Sequence, residues 1–328
     1  MPTTVAYYRR LYHLYRDFRR RRPIVASPPL RLWVELSSEC NLRCVMCPNS
    51  ELPPGQRGFM EWRVFHKVID EAREYVFDVT LHHRGESLLH PQALRFIRYA
   101  ASQGLCTKLH SNGTRLDRIT ADRLVDSGLN RISFSFDGFV KEDYEKIRRG
   151  ADFDQTLANI RHLLERRSQL RQKFPLVAIE VIGLSPSQQD RGKMRRFAAD
   201  LKKLELDELV IKKPHNWAGY LRTAPGPGRG RRHYSCCTFP WNALLVLFNG
   251  DVLPCSQDFF GKYPVGNVGR QSLLEIWNGE PMQRLRLGLA EKRLDGFPAC
   301  RDCDRPWRRT AVGVPREYLR RLLFKKLP

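Results

Sequence analysis

The stretch LWVELSSECNLRCVMC, residues 32–47, joins a short apolar run to three cysteines. The run Leu32–Leu36 is typical of a buried β-strand. Cys40, Cys44 and Cys47 follow in a loop so short that it can turn all three sulfurs toward one point. Thiolates are the ligands that iron–sulfur clusters select, and three of them leave one iron open to another molecule. A three-thiolate zinc site, or unrelated structural cysteines, would also fit this spacing.

From this strand onward the chain alternates segments of strand and helix character. Strands separated by helices of about 10–15 residues predict βαβ units, a mostly parallel sheet and helices on the outside. The predicted strands are Leu32–Leu36, Val79–His83, Leu105–His110, Arg131–Phe136, Leu176–Ile182 and Glu208–Lys212. The predicted helices are Glu61–Tyr75, Pro91–Ser102, Ile119–Asp126, Thr156–Arg167 and Lys193–Lys203. This α/β pattern predicts a partial (β/α)6 barrel of the TIM-like type.

The alternation stops after Pro214, and a Gly-, Pro- and Arg-rich loop covers residues 226–232. The rest holds five cysteines but few regular elements, so it needs a metal to stabilise it. Its predicted elements are strands Ala243–Phe248 and Val252–Leu253, joined by a turn at Asn249-Gly250, and helix Leu273–Trp277. We predict four parts: a basic amphipathic arm (1–30), the barrel (31–215), a small iron–sulfur domain (216–304) and a basic tail (305–328).

Motifs at the ends of successive predicted strands resemble those of radical S-adenosylmethionine (SAM) enzymes. The Cys-x3-Cys-x2-Cys loop resembles their cluster motif, with Met46 where many members place an aromatic residue. Gly85-Glu86 resembles their Gly-Gly-Glu-Pro motif, although Arg84 and Ser87 replace its first Gly and its Pro. The third and fourth strands end in segments that resemble the family's Asn-Gly turn and Ser-x-Asp-Gly motif, Ser111-Asn112-Gly113-Thr114 and Ser133-Phe134-Ser135-Phe136-Asp137-Gly138.

The resemblance implies the cofactors and their contacts. Cys40, Cys44 and Cys47 would hold a [4Fe–4S] cluster whose open iron chelates the amino and carboxylate groups of SAM. Reductive cleavage of SAM would give a 5′-deoxyadenosyl radical that abstracts a substrate hydrogen, with a low-potential electron donor of the flavodoxin or ferredoxin type. The cofactor contacts implied are Gly85, Glu86, Asn112, Ser135 and Arg148. Glu86 would accept from the amino group, Ser135 would face the cofactor, and Arg148 would pair with the carboxylate.

The second cysteine group resembles the SPASM or twitch modules that bind auxiliary iron–sulfur clusters. Its four ligands would be Cys237, Cys255, Cys300 and Cys303. Four thiolates suit one fully ligated [4Fe–4S] cluster, the second in the protein, and favour the shorter twitch form. A zinc knuckle fits the same four thiolates. Cys236 is then spare, and Cys106 is assigned to the core because it lies in an apolar strand segment.

The net charge of +22 is concentrated at the two ends of the chain. Residues 1–31 carry eight Arg against one Asp, and residues 305–328 carry eight Lys or Arg against one Glu. Apolar residues recur at helical spacing in both, at Tyr7, Leu11, Leu14 and Phe18 and at Leu319, Leu322 and Leu323. Such ends are typical of contact with an anionic membrane surface or with an acidic partner, although each stripe could equally pack onto the protein itself.

The predicted function is oxidation or epimerisation of a sugar-like, small polar or lipid-linked substrate, with the auxiliary cluster as electron conduit. A peptide maturase is the rival enzyme, although about 30 N-terminal residues are few for a peptide-binding module. The charge also suggests RNA, but no RNA-binding motif accompanies it. With no spanning segment and no signal sequence, we expect the cytoplasm, with a peripheral place at the inner membrane surface. Six residues near expected site positions receive no role: His82, His83, His215, Asn216, Trp217 and Asp258.

Overall fold

The computed structural model describes residues 4–184, 188, 190–221, 234–307, 310–311 and 314–315. The chain forms two compact units. Unit 1 comprises the described parts of Met1–Trp33, Arg63–Asp78 and His215–Pro328, and unit 2 those of Val34–Trp62 and Val79–Pro214. The four-part division predicted along the sequence stays a prediction. Among the described residues, no helix is long and apolar enough to cross a membrane.

Helices and strands alternate through most of the chain. The helices are α1 (Thr4–Arg19), α2 (Trp62–Ala72), α3 (Ala93–Ser102), α4 (Arg118–Val125), α5 (Lys141–Ile147), α6 (Phe153–Gln169), α7 (Arg191–Lys202), α8 (Leu273–Trp277), α9 (Glu280–Glu291) and α10 (Pro298–Arg301). The strands are β1 (Arg31–Val34), β2 (Asp78–Thr80), β3 (Cys106–Ser111), β4 (Arg131–Ser135), β5 (Leu176–Ile182), β6 (Glu208–Lys212), β7 (Ala243–Val246), β8 (Asp251–Leu253), β9 (Gly266–Asn267), β10 (Thr310–Ala311) and β11 (Val314–Pro315).

Unit 2 is built on parallel strands in the order β6-β5-β4-β3-β2. The pairs β3–β4, β4–β5 and β5–β6 are parallel, with Ser111 opposite Phe134 and Ser135 opposite Glu180. Alternate strand positions are apolar and fully buried, because successive side chains point to opposite faces. These core residues are Leu109, Ile132, Phe134, Val177, Ile179 and Val181. The predicted α/β class, with its partial TIM-like barrel, is confirmed.

The other face of these strands carries polar side chains. His110 on β3 pairs in register with Ser133 on β4, and Ser135 with Glu180 on β5. Lys212 on β6 pairs with Ile182, two residues beyond Glu180 on the same face. The strand series therefore separates an apolar core face from a polar face near the carboxyl ends of the strands.

The strands of unit 1 follow the order β1-β7-β8-β9, and the pairs β7–β8 and β8–β9 are antiparallel. In the predicted hairpin, Leu245 lies opposite Leu253, and Gly250 in the turn has φ +87°, a conformation that favours glycine. The first strand ends at Val246, earlier than the predicted Phe248.

Helix α1 packs within unit 1 by the apolar stripe predicted from the sequence. Leu14 and Phe18 are buried, and the Phe18 ring lies edge-on to Trp241 at 5.5 Å between centroids. Tyr7 makes a similar contact with Phe77 at 5.0 Å. This stripe is therefore occupied by the protein itself. The second predicted stripe, at Leu319, Leu322 and Leu323, lies outside the described residues.

A buried arginine joins the segments of unit 1. Arg286 on α9 donates from Nε to the Pro240 carbonyl at 2.9 Å and from Nη1 to the Pro23 carbonyl at 2.8 Å. Its guanidinium also lies over the Trp277 ring, 4.4 Å from the centroid. Because Arg286 is fully buried, these contacts replace the water that the cation loses on folding.

Candidate functional site

The first three cysteines lie together in the loop that follows β1. All three thiols are only partly exposed. Burial, with smaller contributions from the neighbouring thiols, raises the pKa of Cys40 to about 12 and that of Cys47 to about 11. Burial likewise raises the pKa of Cys44, while Arg148 opposes this effect. Binding iron would have to displace these protons, because a thiolate is the ligand.

Backbone hydrogen bonds fix the path of this cysteine loop. The N–H of Arg43 donates to the Arg149 carbonyl and the N–H of Val45 to the Ile147 carbonyl, both at 3.0 Å. The loop is thus tied at two points, to the last residue of α5 and to the segment that follows it. This leaves the three cysteine side chains on a backbone that is held independently of any bound group.

Gly85 brings a second loop against the residues that precede Cys40. A Cβ atom at this position would lie 2.3 Å from the Glu39 carbonyl oxygen and 2.5 Å from that of Ser37. Only glycine permits so close a backbone approach. The N–H of Glu86 then donates to the Glu39 carbonyl at 2.8 Å. Gly85 therefore sets the distance between the Gly-Glu motif and the cysteine loop.

Glu86 connects this motif to the next one. Its buried carboxylate accepts hydrogen bonds from the N–H of Leu88 at 3.0 Å, the Ser111 hydroxyl at 3.0 Å and the N–H of Asn112 at 2.6 Å. Burial raises the pKa of Glu86 even though these bonds oppose the rise. A carboxylate offers about four acceptor positions, so one remains for the predicted amino group of the cofactor.

Asn112 lies beside the cysteine loop. Its side-chain amide donates to Asn41 Oδ1 at 3.1 Å and lies 4.0 Å from Cys40 Sγ. The same side chain accepts from the Thr114 N–H and hydroxyl at 3.0 and 2.8 Å, which holds the amide in one orientation. Ser135, the last residue of β4, is partly exposed on the polar face. The contacts of Asn112 and Ser135 with the cofactor stay predictions.

Arg148 is engaged by a neighbouring acid in this structure. Its Nε and Nη2 donate to Asp137 Oδ2 at 2.8 and 2.5 Å, and both residues are buried. Arg148 also hydrogen-bonds the side chain of Cys44. It therefore joins the end of β4 to the cysteine loop, and its predicted pairing with the SAM carboxylate stays a prediction.

The two residues that depart from the Gly-Gly-Glu-Pro motif, Arg84 and Ser87, both form buried hydrogen bonds. Arg84 forms a buried ion pair with Glu35, donating from Nε and Nη2 at 2.7 Å each to the two carboxylate oxygens. The Arg84 N–H adds a third bond to Glu35 at 3.2 Å. Ser87 donates from its hydroxyl to the Leu81 carbonyl at 2.7 Å. The substitutions thus build a polar junction under the Gly-Glu loop.

Four polar side chains form a cluster in unit 2. From the sequence, one of them, His82, received no role, and the other three were not singled out. His110 Nδ1 lies 3.6 Å from Glu180 Oε2, and Lys212 forms an ion pair with the same oxygen. The His82 ring stacks on His110 with centroids 5.6 Å apart. We call these four residues the polar cluster. Polar residues at alternate positions of otherwise apolar strands were the signal that could have identified them.

The later cysteines line one cavity in unit 1. Its walls include all four predicted ligands, Cys237, Cys255, Cys300 and Cys303. Burial raises the pKa of Cys255 to about 12, and nearby Cys237 adds to the rise. Backbone N–H groups already point at two sulfurs, from Gln257 to Cys255 at 3.3 Å and from Arg305 to Cys303 at 3.4 Å.

Cys236 and Cys106 differ from those four thiols. Neither appears in the cavity wall, and both are buried. Cys106 lies at the start of β3 in the core, as predicted. Among the other residues near the second group, Asp258 lines the cavity, while Asn216 donates to the Asp302 carbonyl at 2.7 Å and has a structural role.

Both cysteine sets fit iron–sulfur clusters by donor chemistry, three thiols for an open cluster and four for a closed one. Across the described ranges, no three His, Cys, Asp or Glu side chains meet closely enough to ligate a single metal ion. The ligand assignments therefore stay predictions that rest on thiol type, number and proximity.

Two family models match the chain. One, of the radical SAM superfamily, covers residues 34–198, and the other, SPASM, an iron–sulfur cluster-binding domain, covers residues 236–304. Among curated relatives, the SAM-dependent 2-deoxy-scyllo-inosamine dehydrogenase of Niallia circulans is 23% identical over 273 residues, 83% of this chain and 91% of that protein. A cofactor-modifying protein for the tungsten-containing aldehyde ferredoxin oxidoreductase of Pyrococcus furiosus is 23% identical over 318 residues, 83% of this chain and 86% of that protein.

Solved structures share the fold. BtrN in complex with AdoMet and 2-DOIA has a TM-score of 0.56 at 21% identity, covering 87% of this chain and 94% of that one. SuiB of Streptococcus suis bound to the precursor peptide SuiA has a TM-score of 0.61 at 15% identity, covering 83% and 70%. The chain therefore belongs to the radical SAM superfamily, as an enzyme whose cofactors are [4Fe–4S] clusters and S-adenosylmethionine.

Proposed function

We propose that this enzyme oxidises a secondary alcohol of a small, sugar-like substrate. The observation that carries the proposal is the polar cluster on the strand face of unit 2. Ligands of open α/β folds bind outside the carboxyl ends of the strands, which is where this cluster lies. The dehydrogenase relative, which acts on 2-deoxy-scyllo-inosamine, supports the same substrate class.

Charges within the polar cluster favour hydroxyl groups over ions. Burial lowers the pKa of His82 to about 3 and that of His110 to about 4. Although burial alone would raise it, His110 and Lys212 hold the pKa of Glu180 at about 2. At neutral pH both imidazoles are therefore uncharged, and the Glu180 charge is balanced by Lys212. Neutral imidazoles donate and accept hydrogen bonds, as hydroxyl groups do.

His82 is the proposed proton acceptor. Its Nδ1 atom is buried and has no hydrogen-bond partner among the described residues. Oxidising an alcohol to a ketone removes one hydrogen atom, one proton and one electron. When bound, the first cluster with SAM supplies the radical that takes the hydrogen atom, and the second cluster takes the electron. Loss of the hydrogen atom and the electron leaves a protonated ketone, which is acidic enough to give its proton to His82 Nδ1 although the pKa of that ring is only about 3. The stacked His110 holds the His82 ring in place.

The ligand assignments belong to the same proposal. Cys40, Cys44 and Cys47 hold the first cluster, and the four cysteines of the unit 1 cavity hold the second. SAM contacts Gly85, Glu86, Asn112, Ser135 and Arg148. The closeness of Asn112 to Cys40 and the hydrogen bonds of Glu86 to two motifs support this arrangement.

The enzyme's partners and location follow from its chemistry. A flavodoxin- or ferredoxin-type protein supplies low-potential electrons. Reduced thiols and iron–sulfur clusters suit the cytoplasm, where disulfides are rare. We propose that the basic ends attract the enzyme to the inner membrane surface, where a lipid-linked substrate would also be found.

Deuterium transfer tests the reaction. Anaerobically reconstituted protein is incubated with SAM, a reductant and 2-deoxy-scyllo-inosamine or related cyclitols and sugars deuterated at their carbinol carbons. We expect deuterium in 5′-deoxyadenosine together with a ketone. If the product were instead epimerised at the same carbon, the reaction would be epimerisation and not oxidation. Transfer from a peptide and from none of the polyols would favour the maturase alternative, which the fold shared with SuiB makes the second candidate.

Variants separate His82 from the rest of the chemistry. His82→Gln keeps a polar side chain but removes the base, so ketone formation should fall while SAM cleavage without substrate continues. Glu180→Gln removes the charge that balances Lys212 and should weaken substrate binding more than SAM cleavage. Equal ketone formation by His82→Gln and the wild type would exclude His82 as the acceptor.

A further inference from the structure

One face of α1 is exposed and combines aromatic with basic residues. Val5, Tyr8 and Tyr12 are 77%, 44% and 62% exposed. Ile24, just beyond the helix, is 57% exposed. These four belong to the eleven exposed large hydrophobic residues in the described part of the chain. More than a third of these exposed hydrophobic residues therefore lie within the first 24 residues of the chain.

Arginines follow the same face at helical spacing. Arg9, Arg16 and Arg19 lie three or four positions from the exposed aromatics or from one another, which puts them on one side of the helix. Arg20 is exposed directly after α1. The face opposite is the buried stripe of Leu14 and Phe18. Helix α1 thus has two distinct sides, one of which packs on unit 1.

Arginines far outnumber acidic residues in this segment. The segment from residue 4 to residue 24 contains one acid, Asp17, and it is buried. Asp17 accepts from the N–H of Ala26 at 3.1 Å and pairs with Arg16 at 3.8 Å and Arg22 at 3.6 Å, so a single negative charge is shared by two arginines. The outer face is therefore cationic as well as aromatic.

We propose that this outer face of α1 docks the enzyme onto an anionic lipid bilayer. The proposal refines the membrane contact in the proposed function and does not depend on which substrate is oxidised. Tyrosine favours the headgroup region of a bilayer, because its ring is apolar and its hydroxyl polar. Arginine side chains reach lipid phosphates while their stems cover apolar surface. The apolar stripe of α1 already packs within unit 1, so contact through the opposite face keeps the fold intact.

The choice of a bilayer over other anionic partners rests on the exposed apolar residues. Nucleic acid is held chiefly by basic side chains at phosphates, which gives Val5 and Ile24 no role. An interfacial helix buries such residues at the acyl boundary while its basic residues face the headgroups. Nearby Arg10 is engaged within unit 1, bonding the Tyr75 carbonyl, and is not part of the docking face.

Sedimentation with lipid vesicles tests the docking face on full-length, cluster-loaded protein. The vesicles are phosphatidylcholine alone or phosphatidylcholine with phosphatidylglycerol, at low and physiological salt. The test variant replaces Arg9, Arg19 and Arg20 with Gln. The control replaces three exposed arginines of unit 2, Arg115, Arg118 and Arg123, with Gln and so carries the same net charge. A second variant, Tyr8→Ser with Tyr12→Ser, keeps every charge.

We expect wild-type protein to bind the anionic vesicles and not phosphatidylcholine alone. The α1 arginine variant should bind on the order of 100-fold more weakly at low salt, since each of the three arginines near an anionic surface contributes about fivefold. The unit 2 control should stay within about twofold of wild type, because those arginines lie outside the docking face. The tyrosine variant should lose several-fold, and this loss should persist at physiological salt, where charge contributions are screened.

Several results would overturn the proposal. Equal losses in the α1 variant and its charge-matched control would mean that only total charge matters. Unchanged vesicle binding in both α1 variants would exclude this face. A loss of tRNA binding in these variants without a loss of vesicle binding would also exclude it as a membrane-docking face. Iron content and thermal unfolding, measured on every variant, separate a docking loss from a folding loss. Failure of the alcohol oxidation would leave these vesicle results unaffected.

Discussion

Replacing Arg84 with alanine removes one partner of the buried Glu35–Arg84 ion pair. The side chains are 1% and 0% exposed, and two bonds of 2.7 Å join the guanidinium to the carboxylate. Removing one partner of such a pair costs about 3–5 kcal/mol, because the other charge stays buried without compensation. A domain is stabilised by only about 5–15 kcal/mol, so the loss is a large share of the total. Arg84→Gly, which restores the first glycine of the family motif, should be at least as destabilising.

Denaturant unfolding of the anaerobic protein, followed by circular dichroism, measures this loss. Arg131→Ala is the matched control, because its pair with Glu208 has the same 2.7 Å distance but side chains 21% and 25% exposed. We expect the control to lose about 1 kcal/mol or less. The double variant Glu35→Gln with Arg84→Ala should recover about half of the Arg84→Ala loss, since no buried charge remains. Equal losses for Arg84→Ala and Arg131→Ala would refute the reasoning.

Three further predictions concern unit 1 and the polar cluster. Arg286→Met keeps much of the side-chain volume but leaves the carbonyls that bond Arg286 without donors. It should lower the free energy of unfolding, measured by denaturant titration, by about 3 kcal/mol. A loss below about 1 kcal/mol would contradict a stabilising role for these hydrogen bonds. The pKa of Glu180 is lowered from 4.5 to about 2, so the stabilisation from its charge should be present above pH 4.5 and lost as the pH falls toward 2. In acid titrations, the difference in the free energy of unfolding between wild type and Glu180→Gln should therefore shrink over that range. A difference that stays constant would contradict the prediction. Cys237→Ala should remove about half of the bound iron and Cys236→Ala almost none, as measured by iron assay of reconstituted protein, and the reverse pattern would exchange their roles.

Periodic features of the fold could be predicted closely from the sequence. Strands Leu176–Ile182 and Glu208–Lys212 and helix Leu273–Trp277 end where the residue patterns place them. Regular alternation in the strands reports the buried face directly. Helix α5, Lys141–Ile147, was missed because it is seven residues long and mostly polar, so its apolar periodicity is weak. Helix α9 was missed although it carries buried Met282 and Leu285.

Tertiary partners were the part that a pattern could not predict. Glu35 and Arg84 are 49 residues apart, and nothing in either local sequence names the other. Arg148 was predicted to pair with the SAM carboxylate, and the structure adds a second partner, Asp137, which follows the end of β4. The apolar stripe of α1 was recognised, whereas its packing against Trp241 and Phe77 depends on distant segments. Local chemistry thus predicted the candidate residues, and packing decided what they contact.

The most direct test of the central claim is SAM cleavage by a variant without the first three cysteines. Reconstituted wild-type protein should bind two [4Fe–4S] clusters, about eight irons per chain, and form 5′-deoxyadenosine from SAM under reducing conditions. Cys40→Ala, Cys44→Ala and Cys47→Ala together should remove about half of the iron and all 5′-deoxyadenosine formation. A triple variant that still forms 5′-deoxyadenosine would contradict the assignment of the cluster to this loop.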